Sequence, residues 1–259
     1  MRPNRVKKTL RDGGVALGTS AFEFASPGLG RLAAGAGADF LFMDMEHTGW
    51  SEETIKMLVA TSRAAELVTL VRVPATQYHL IARVLDVGAD GIMVPMCESA
   101  EQARLLVQSA KYPPVGRRGS AFGIAHDDYS SGDAVAKIRE ANAETWLCAL
   151  VETVVGIENV DAIAAVDGID VVWLGHFDLT NSMGIPTQFT HPDYLRSVDR
   201  LLAACRKHGK AAGHLVHNVP DGLAKLAQGF RCLSYSSDMW LFKQALADGI
   251  SALRTPPPR

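Results

Sequence analysis

The sequence has 259 residues, 47% hydrophobic and 21% charged, a globular composition that excludes disordered, collagenous and coiled-coil classes. Its 26 Lys plus Arg against 28 Asp plus Glu leave a formal charge of −2, with no global attraction to nucleic acid or an anionic membrane. No charge-free apolar run approaches the roughly 20 residues of a membrane helix, and the basic opening MRPNRVKKTLRDGG, with no apolar stretch behind it, is not a secretory signal.

In chain order, VALGTSAF (15–22) is a first strand. Ser26-Pro27 then predicts a helix start, with Gly37 as the stop. ADFLFMDME (38–46) is a second strand, and Ser51 caps a helix over 51–66 whose Ile55, Leu58 and Val59 fall at helical spacing. LVTLVRVP (67–74) is a third strand. A helix over 79–88 leads to the strand GIMVPM (91–96), and a helix over 99–112 ends at Pro113-Pro114. Residues 113–132 form a long connection rich in Gly, Ser and Asp; such connections are more often functional than idle. A helix over 133–144, the strand TWLCALVET (145–153), a helix over 155–166 and the strand DVVWLGHFD (170–178) follow. The rest is a helix over 191–209, the strand KAAGHLVH (210–217), a helix near 220–228, the strand FRCLSYS (230–236) and a helix over 239–253. Residues 1–14 are expected to be an extension, and 254–259 a flexible tail.

Eight strands, mostly continuous apolar runs buried on both faces, alternate with helices. That order predicts a single (β/α)8 barrel spanning 1–259, with a doubly wound sheet as its competitor. The segment Gly28-Leu29-Gly30-Arg31-Leu32-Ala33 matches a dinucleotide fingerprint, but its glycines are expected inside a helix and not at the strand-to-helix turn. Cys97, Cys148, Cys205 and Cys232 lie far apart in apolar stretches and read as buried free thiols of a reducing cytoplasm.

In a barrel the chemistry sits at the C-terminal ends of the strands. The ionisable residues there are Asp44, Glu46 and His47 after strand two, Arg72 after strand three, Glu152 after strand five, and His176 and Asp178 after strand six. Glu152 and Asp178 come from consecutive strands. Two adjacent carboxylates repel unless a proton or a cation lies between them, and a hard divalent cation is one answer; capping of the next helix by Thr153 or Asp178 is the plain alternative. Arg72 can hold a substrate carboxylate or ketone oxygen, or pair with Asp44 or Glu46. Asp44 and His47 can form an Asp–His pair suited to proton transfer near neutral pH, or His47 can simply be solvated. His126, His176, His214 and His217 are weaker candidates.

The ordered set FLFMDMEHTGWS, TLVRVP, LDVGADGIMVPMCESAEQA, KYPPVGRRG, VETVVGIENVDAIAAVDGID and GHFDLTNSMGIPTQFTHPDY resembles the HpcH/HpaI aldolase family over about residues 15–240. The resemblance implies a class II pyruvate aldolase that uses a divalent cation (Mg²⁺, Mn²⁺ or Co²⁺). Such enzymes reversibly cleave a 4-hydroxy-2-oxo acid to pyruvate and an aldehyde. It implies metal ligands at Glu152 and Asp178, a pyruvate-holding Arg72, an Asp44–His47 dyad, and Asp86 reaching a neighbouring subunit's site. It also implies carboxylate-binding backbone amides around Gly175, His176, Phe177 and Asp178, and a hexamer built as a trimer of dimers with the last helix exchanged. Two departures stand out: Leu150 replaces the usual glutamine, and His176-Phe177 changes the usual G-P-x-D. The 113–132 loop, with Arg117, Arg118 and His126, is expected to shape the aldehyde side. Competing readings are oxaloacetate decarboxylation at the same site, a lyase acting on acyl-CoA esters, and a non-catalytic metabolite-binding homologue.

Overall fold

A computed structural model describes residues 2–254. It is a closed barrel of eight parallel strands in the order β1 to β8, with β1 also pairing β8. The strands are β1 (Ala16–Ala21), β2 (Phe40–Asp44), β3 (Val68–Arg72), β4 (Gly91–Val94), β5 (Trp146–Val151), β6 (Val171–Leu174), β7 (Ala211–Val216) and β8 (Cys232–Ser237). Side chains alternate across each strand, so each stave feeds two apolar layers. Phe40, Phe42, Leu70, Met93, Trp146, Leu150 and Trp173 belong to one buried cluster that fills the barrel. Their neighbours Leu41, Met43, Val71, Ile92, Val151 and Leu174 belong to a second cluster under the helices. This double burial explains the continuous apolar runs.

The helices are α1 (Arg5–Arg11), α2 (Leu29–Gly35), α3 (Glu52–Ala64), α4 (Tyr78–Asp86), α5 (Ala100–Ala110), α6 (Ala134–Glu144), α7 (Val154–Glu158), α8 (Val160–Ala164), α9 (His176–Ser182), α10 (Pro192–His208), α11 (Val219–Gln228) and α12 (Asp238–Arg254). Several expectations need correction. The N-terminal stretch is more than an extension: Asn4 caps α1, and Val6 and Leu10, one turn apart, join the barrel-filling cluster. Ser26 does not cap α2, whose N-cap is Gly28. Gly30 lies within α2 where a Cβ would meet Ser62 Oγ at 2.4 Å, so that glycine serves close packing on α3 and not a nucleotide. The 155–166 helix divides at Asn159, and strand six stops at Leu174, so His176 to Asp178 form the first turn of α9.

The 113–132 connection joins α5 to α6 and then β5, which places it at the N-terminal end of the barrel, away from the strand ends that bear chemistry. There Arg118 pairs with Asp86 at 2.6 Å and lies over the Tyr112 ring. All four cysteines are free and buried. No described helix is long and apolar enough to cross a membrane. Helix α12 has no buried residue, and Leu241, Phe242, Leu246, Ile250 and Leu253 stand exposed along it. Of the expected tail, 255–259 lies outside the described residues, while Arg254 ends α12.

Candidate active site

The C-terminal ends of the strands enclose a cavity of about 380 Å³ lined by His47, Arg72, Glu152, Gly175, His176, Phe177 and Asp178 among others. The barrel thus gathers seven of the expected residues, Gly175 among them. Asp44 lies behind Arg72, fully buried. Asp86 is at the far end of the barrel, paired with Arg118, and does not line this cavity.

The β2–β3 register sets Asp44 directly beside Arg72. Arg72 Nε donates to Asp44 Oδ1 at 2.9 Å and Nη2 donates to Oδ2 at 2.7 Å, a two-pronged pair with Arg72 only 8% exposed. Nη1 lies 3.0 Å from Glu46 Oε2, a charge contact and not a hydrogen bond. Burial works against the guanidinium charge, but Asp44 and Glu46 more than offset it and its pKa rises. Asp44 also accepts the backbone N–H of Glu46 at 2.9 Å and of His47 at 3.3 Å. The expected Asp44–His47 side-chain dyad is therefore corrected. Both Asp44 oxygens are committed to Arg72 and backbone amides, while the exposed His47 ring has Nε2 3.9 Å from Glu46 Oε2. Glu46 thus stands between the arginine and the histidine. Burial raises its pKa against the pull of Arg72 and His47. Sequence reasoning placed Glu46 only as a pairing partner; its signal was the D-x-E-H spacing itself.

Glu152 follows β5 and is 3% exposed. Its Oε1 accepts the Met96 N–H at 2.8 Å. Burial pushes its pKa up to about 7, with Asp178 and Glu46 adding to the rise against Met96 and Arg72. No described Lys, Arg or His makes an ion pair with it. Gly175 lets this carboxylate fit: a Cβ there would lie 2.4 Å from Glu152 Oε2 and 2.6 Å from its Cβ. Gly175→Ala is expected to displace Glu152 at a cost of about 1–3 kcal/mol in stability, with a larger proportional loss in turnover; a melting curve beside a rate measurement checks this. Thr153 caps α7 through Gly156 N–H, as the plain alternative foresaw, whereas Asp178 makes no capping bond in α9. Among the described residues there is no group of three or more metal-ligating side chains. The carboxylates of Glu152 and Asp178, the first buried and with no ion-pair partner among the described residues, offer the oxygen donors that suit a hard divalent ion with other positions left for water and substrate.

His176 turns away from a ligand role. Its ring stacks on His214 at 4.7 Å and meets Phe189 at 5.1 Å and His217 at 5.7 Å, and burial pushes its pKa down to about 3. It is a neutral wall group. His214 belongs to the same packing and His126 to the far end beside Tyr112.

The strand ends of this barrel gather an arginine, a carboxylate pair and a histidine around one pocket, at the end of the barrel where enzymes of this fold carry their chemistry. The sequence profile of "HpcH/HpaI aldolase/citrate lyase" matches residues 23–245, and the chain belongs to this family. It is 35% identical over 255 residues to a 4-hydroxy-2-oxovalerate aldolase of Novosphingobium aromaticivorans, covering 97% of this chain and 95% of that protein. It is 31% identical to a 5-keto-4-deoxy-D-glucarate aldolase of Klebsiella pneumoniae, with 94% of each chain covered. The crystal structure of an HpcH/HpaI aldolase from Desulfitobacterium hafniense superposes with a TM-score of 0.92 at 31% identity, covering 97% of both chains.

Proposed function

We propose that this chain is a divalent-metal-dependent aldolase that reversibly cleaves a 4-hydroxy-2-oxo acid to pyruvate and an aldehyde. The observation that carries the reading is the Glu152–Asp178 carboxylate pair on the wall of one cavity with Arg72. Glu152 and Asp178 would hold the cation, Mg²⁺, Mn²⁺ or Co²⁺. When bound, that ion supplies Lewis-acid charge beside the keto oxygen of the oxo acid. Arg72, kept in place by Asp44, has N–H groups left on Nη1 and Nη2 to donate to the same oxygen as negative charge grows there. The amides of His176, Phe177 and Asp178, in the first turn of α9, would receive the pyruvate carboxylate, while the Gly175 N–H is donated to the Val151 carbonyl. His47, directly or through one water, takes the methyl proton of pyruvate in the synthetic direction and the C4 hydroxyl proton in cleavage. Phe42, Leu150 and Trp173 close the floor against bulk water.

The test follows methyl proton exchange of pyruvate in D₂O with and without each cation, then aldol addition to a panel of aldehydes. Exchange that persists in chelator removes the metal from the reaction. His47→Ala is expected to retain cation binding but lose about 100-fold in exchange rate, within the usual range for a general base; unchanged exchange removes His47 from that role. Oxaloacetate decarboxylation is the alternative outcome of the same product screen.

The apolar stripe on α12 supports an assembly in which that helix packs on a second copy of the chain, as in a hexamer built from dimers. Asp86, remote from its own cavity, would then act only at a neighbour's. A cytoplasmic setting accords with four unpaired cysteines.

A further inference from the structure

The cavity has two unlike halves. His47, Arg72, Glu152 and Asp178 lie at or just beyond the ends of strands two, three, five and six; Phe22 follows β1, Leu215 lies in β7, and Met239 and Trp240 lie in the first turn of α12, just after β8. The second half is a built wall. Phe22 lies 6.0 Å from Trp240 and meets Phe42 edge-on at 6.2 Å, and His217 packs behind Trp240 at 5.1 Å. One carboxylate, Asp238, locks it together. Its Oδ1 accepts the N–H of Phe22 at 3.1 Å and of Met239 at 2.8 Å, and its Oδ2 accepts those of Glu23 at 3.0 Å and Phe24 at 2.7 Å. Phe22, Met239 and Trp240 are nonetheless each only partly buried, so apolar surface is held open toward the cavity.

The charge pattern is equally one-sided. The basic side chains among the lining residues are Arg72, His47 and His176. Arg72 serves the oxo-acid half, and His176 is tied up in ring packing. Among the lining residues of the second half the ionisable one is Glu23, exposed at the mouth; behind them Asp238 is committed to backbone amides and His217 packs its ring on Trp240. A second carboxylate on the substrate would face Glu23. An apolar group would gain by leaving water.

We propose, on the basis of the aldolase reading above, that the aldehyde partner carries an uncharged apolar or aromatic tail that seats against Phe22, Met239 and Trp240. In the synthetic direction pyruvate gives up a methyl proton to the base and its enolate carbon bonds to the aldehyde carbonyl carbon. The carbonyl electron pair moves to oxygen, which takes a proton and becomes the 4-hydroxyl, with the apolar tail against the wall. Asp238 is a positioning residue for that wall.

The experiment measures kcat/KM for pyruvate addition to benzaldehyde, butanal, succinic semialdehyde and glyceraldehyde, beside methyl proton exchange of pyruvate alone. Benzaldehyde and butanal are expected to exceed the other two at least about tenfold. Trp240→Ala is expected to raise KM for benzaldehyde about tenfold more than KM for pyruvate. Glu23→Lys, at an exposed site, is expected to shift the preference toward succinic semialdehyde about tenfold. Exchange with equal or better use of succinic semialdehyde or glyceraldehyde overturns the apolar tail while leaving the aldolase standing. So does a Trp240→Ala protein whose two KM values rise together. Absence of exchange with any cation removes the aldolase reading, and the proposed tail falls with it.

Discussion

Glu152→Gln is expected to lower metal-dependent turnover by about a thousandfold or more, the loss of several kcal/mol of charge stabilisation, while the metal-free protein at pH 8 becomes more stable. The second half of this prediction follows from the direction of the Glu152 shift. Its native pKa of about 7 stands above the ordinary 4.5, with burial the largest cause. The native state therefore holds the proton more tightly than the unfolded chain. The resulting stability is fully present below about pH 4.5 and is lost as pH rises through about 7. Above that pH the metal-free native protein carries an ionised, buried carboxylate worth about 3 kcal/mol against it. Glutamine keeps the shape without the charge, so the variant avoids that cost. A divalent cation reverses the order, because it binds the ionised native form and has no comparable grip on the variant. Melting curves of both proteins at pH 5.5 and 8, in chelator and in excess Mn²⁺, check the argument. Native and variant proteins that respond to Mn²⁺ equally would remove Glu152 from the metal site.

Much of this site is legible in the sequence because each strand is an apolar run ended by polar residues. Arg72 after VTLV and Glu152 after LCALV need only the barrel order to be carried to one rim. The parts that were not legible depend on distances the linear order does not encode. The sequence offered Asp44 both Arg72 and His47 as partners, and the choice is decided by the β2–β3 register, which sets Asp44 opposite Arg72, 28 residues away. Helix α1 offers only Val6 and Leu10 among basic residues, too weak a stripe to announce a barrel plug. The placement of the 113–132 loop was available, since a connection that follows a helix returns to the opposite end; its length and composition drew attention to function instead. Phe22 and Asp238 are 216 residues apart, and they meet only because β1 and β8 close the barrel.

Arg72→Ala is expected to unfold about 10 °C lower than the native protein and to lose at least about a hundredfold in turnover. The thermal effect follows from what the arginine leaves behind. Asp44, with no exposed surface, has both oxygens on the guanidinium, and Glu46 leans on the same group. Removing one partner of a buried pair costs about 3–5 kcal/mol because the other charge stays desolvated, and at this chain length each kcal/mol moves the midpoint by roughly 2–4 °C. The kinetic effect follows from the loss of a preorganised donor where enolate charge forms. Arg72→Lys separates the two. It restores a cation for Asp44, so part of the melting temperature should return, but an ammonium cannot hold Asp44 with two parallel N–H bonds and still face the cavity, so turnover should stay low. In Asp44→Asn combined with Arg72→Ala the orphaned charge is gone, and the double variant should lose clearly less stability than the two single losses summed. A purely additive cycle would mean that Asp44 and Arg72 do not depend on each other, and Arg72 would then need another reason for its place in the site.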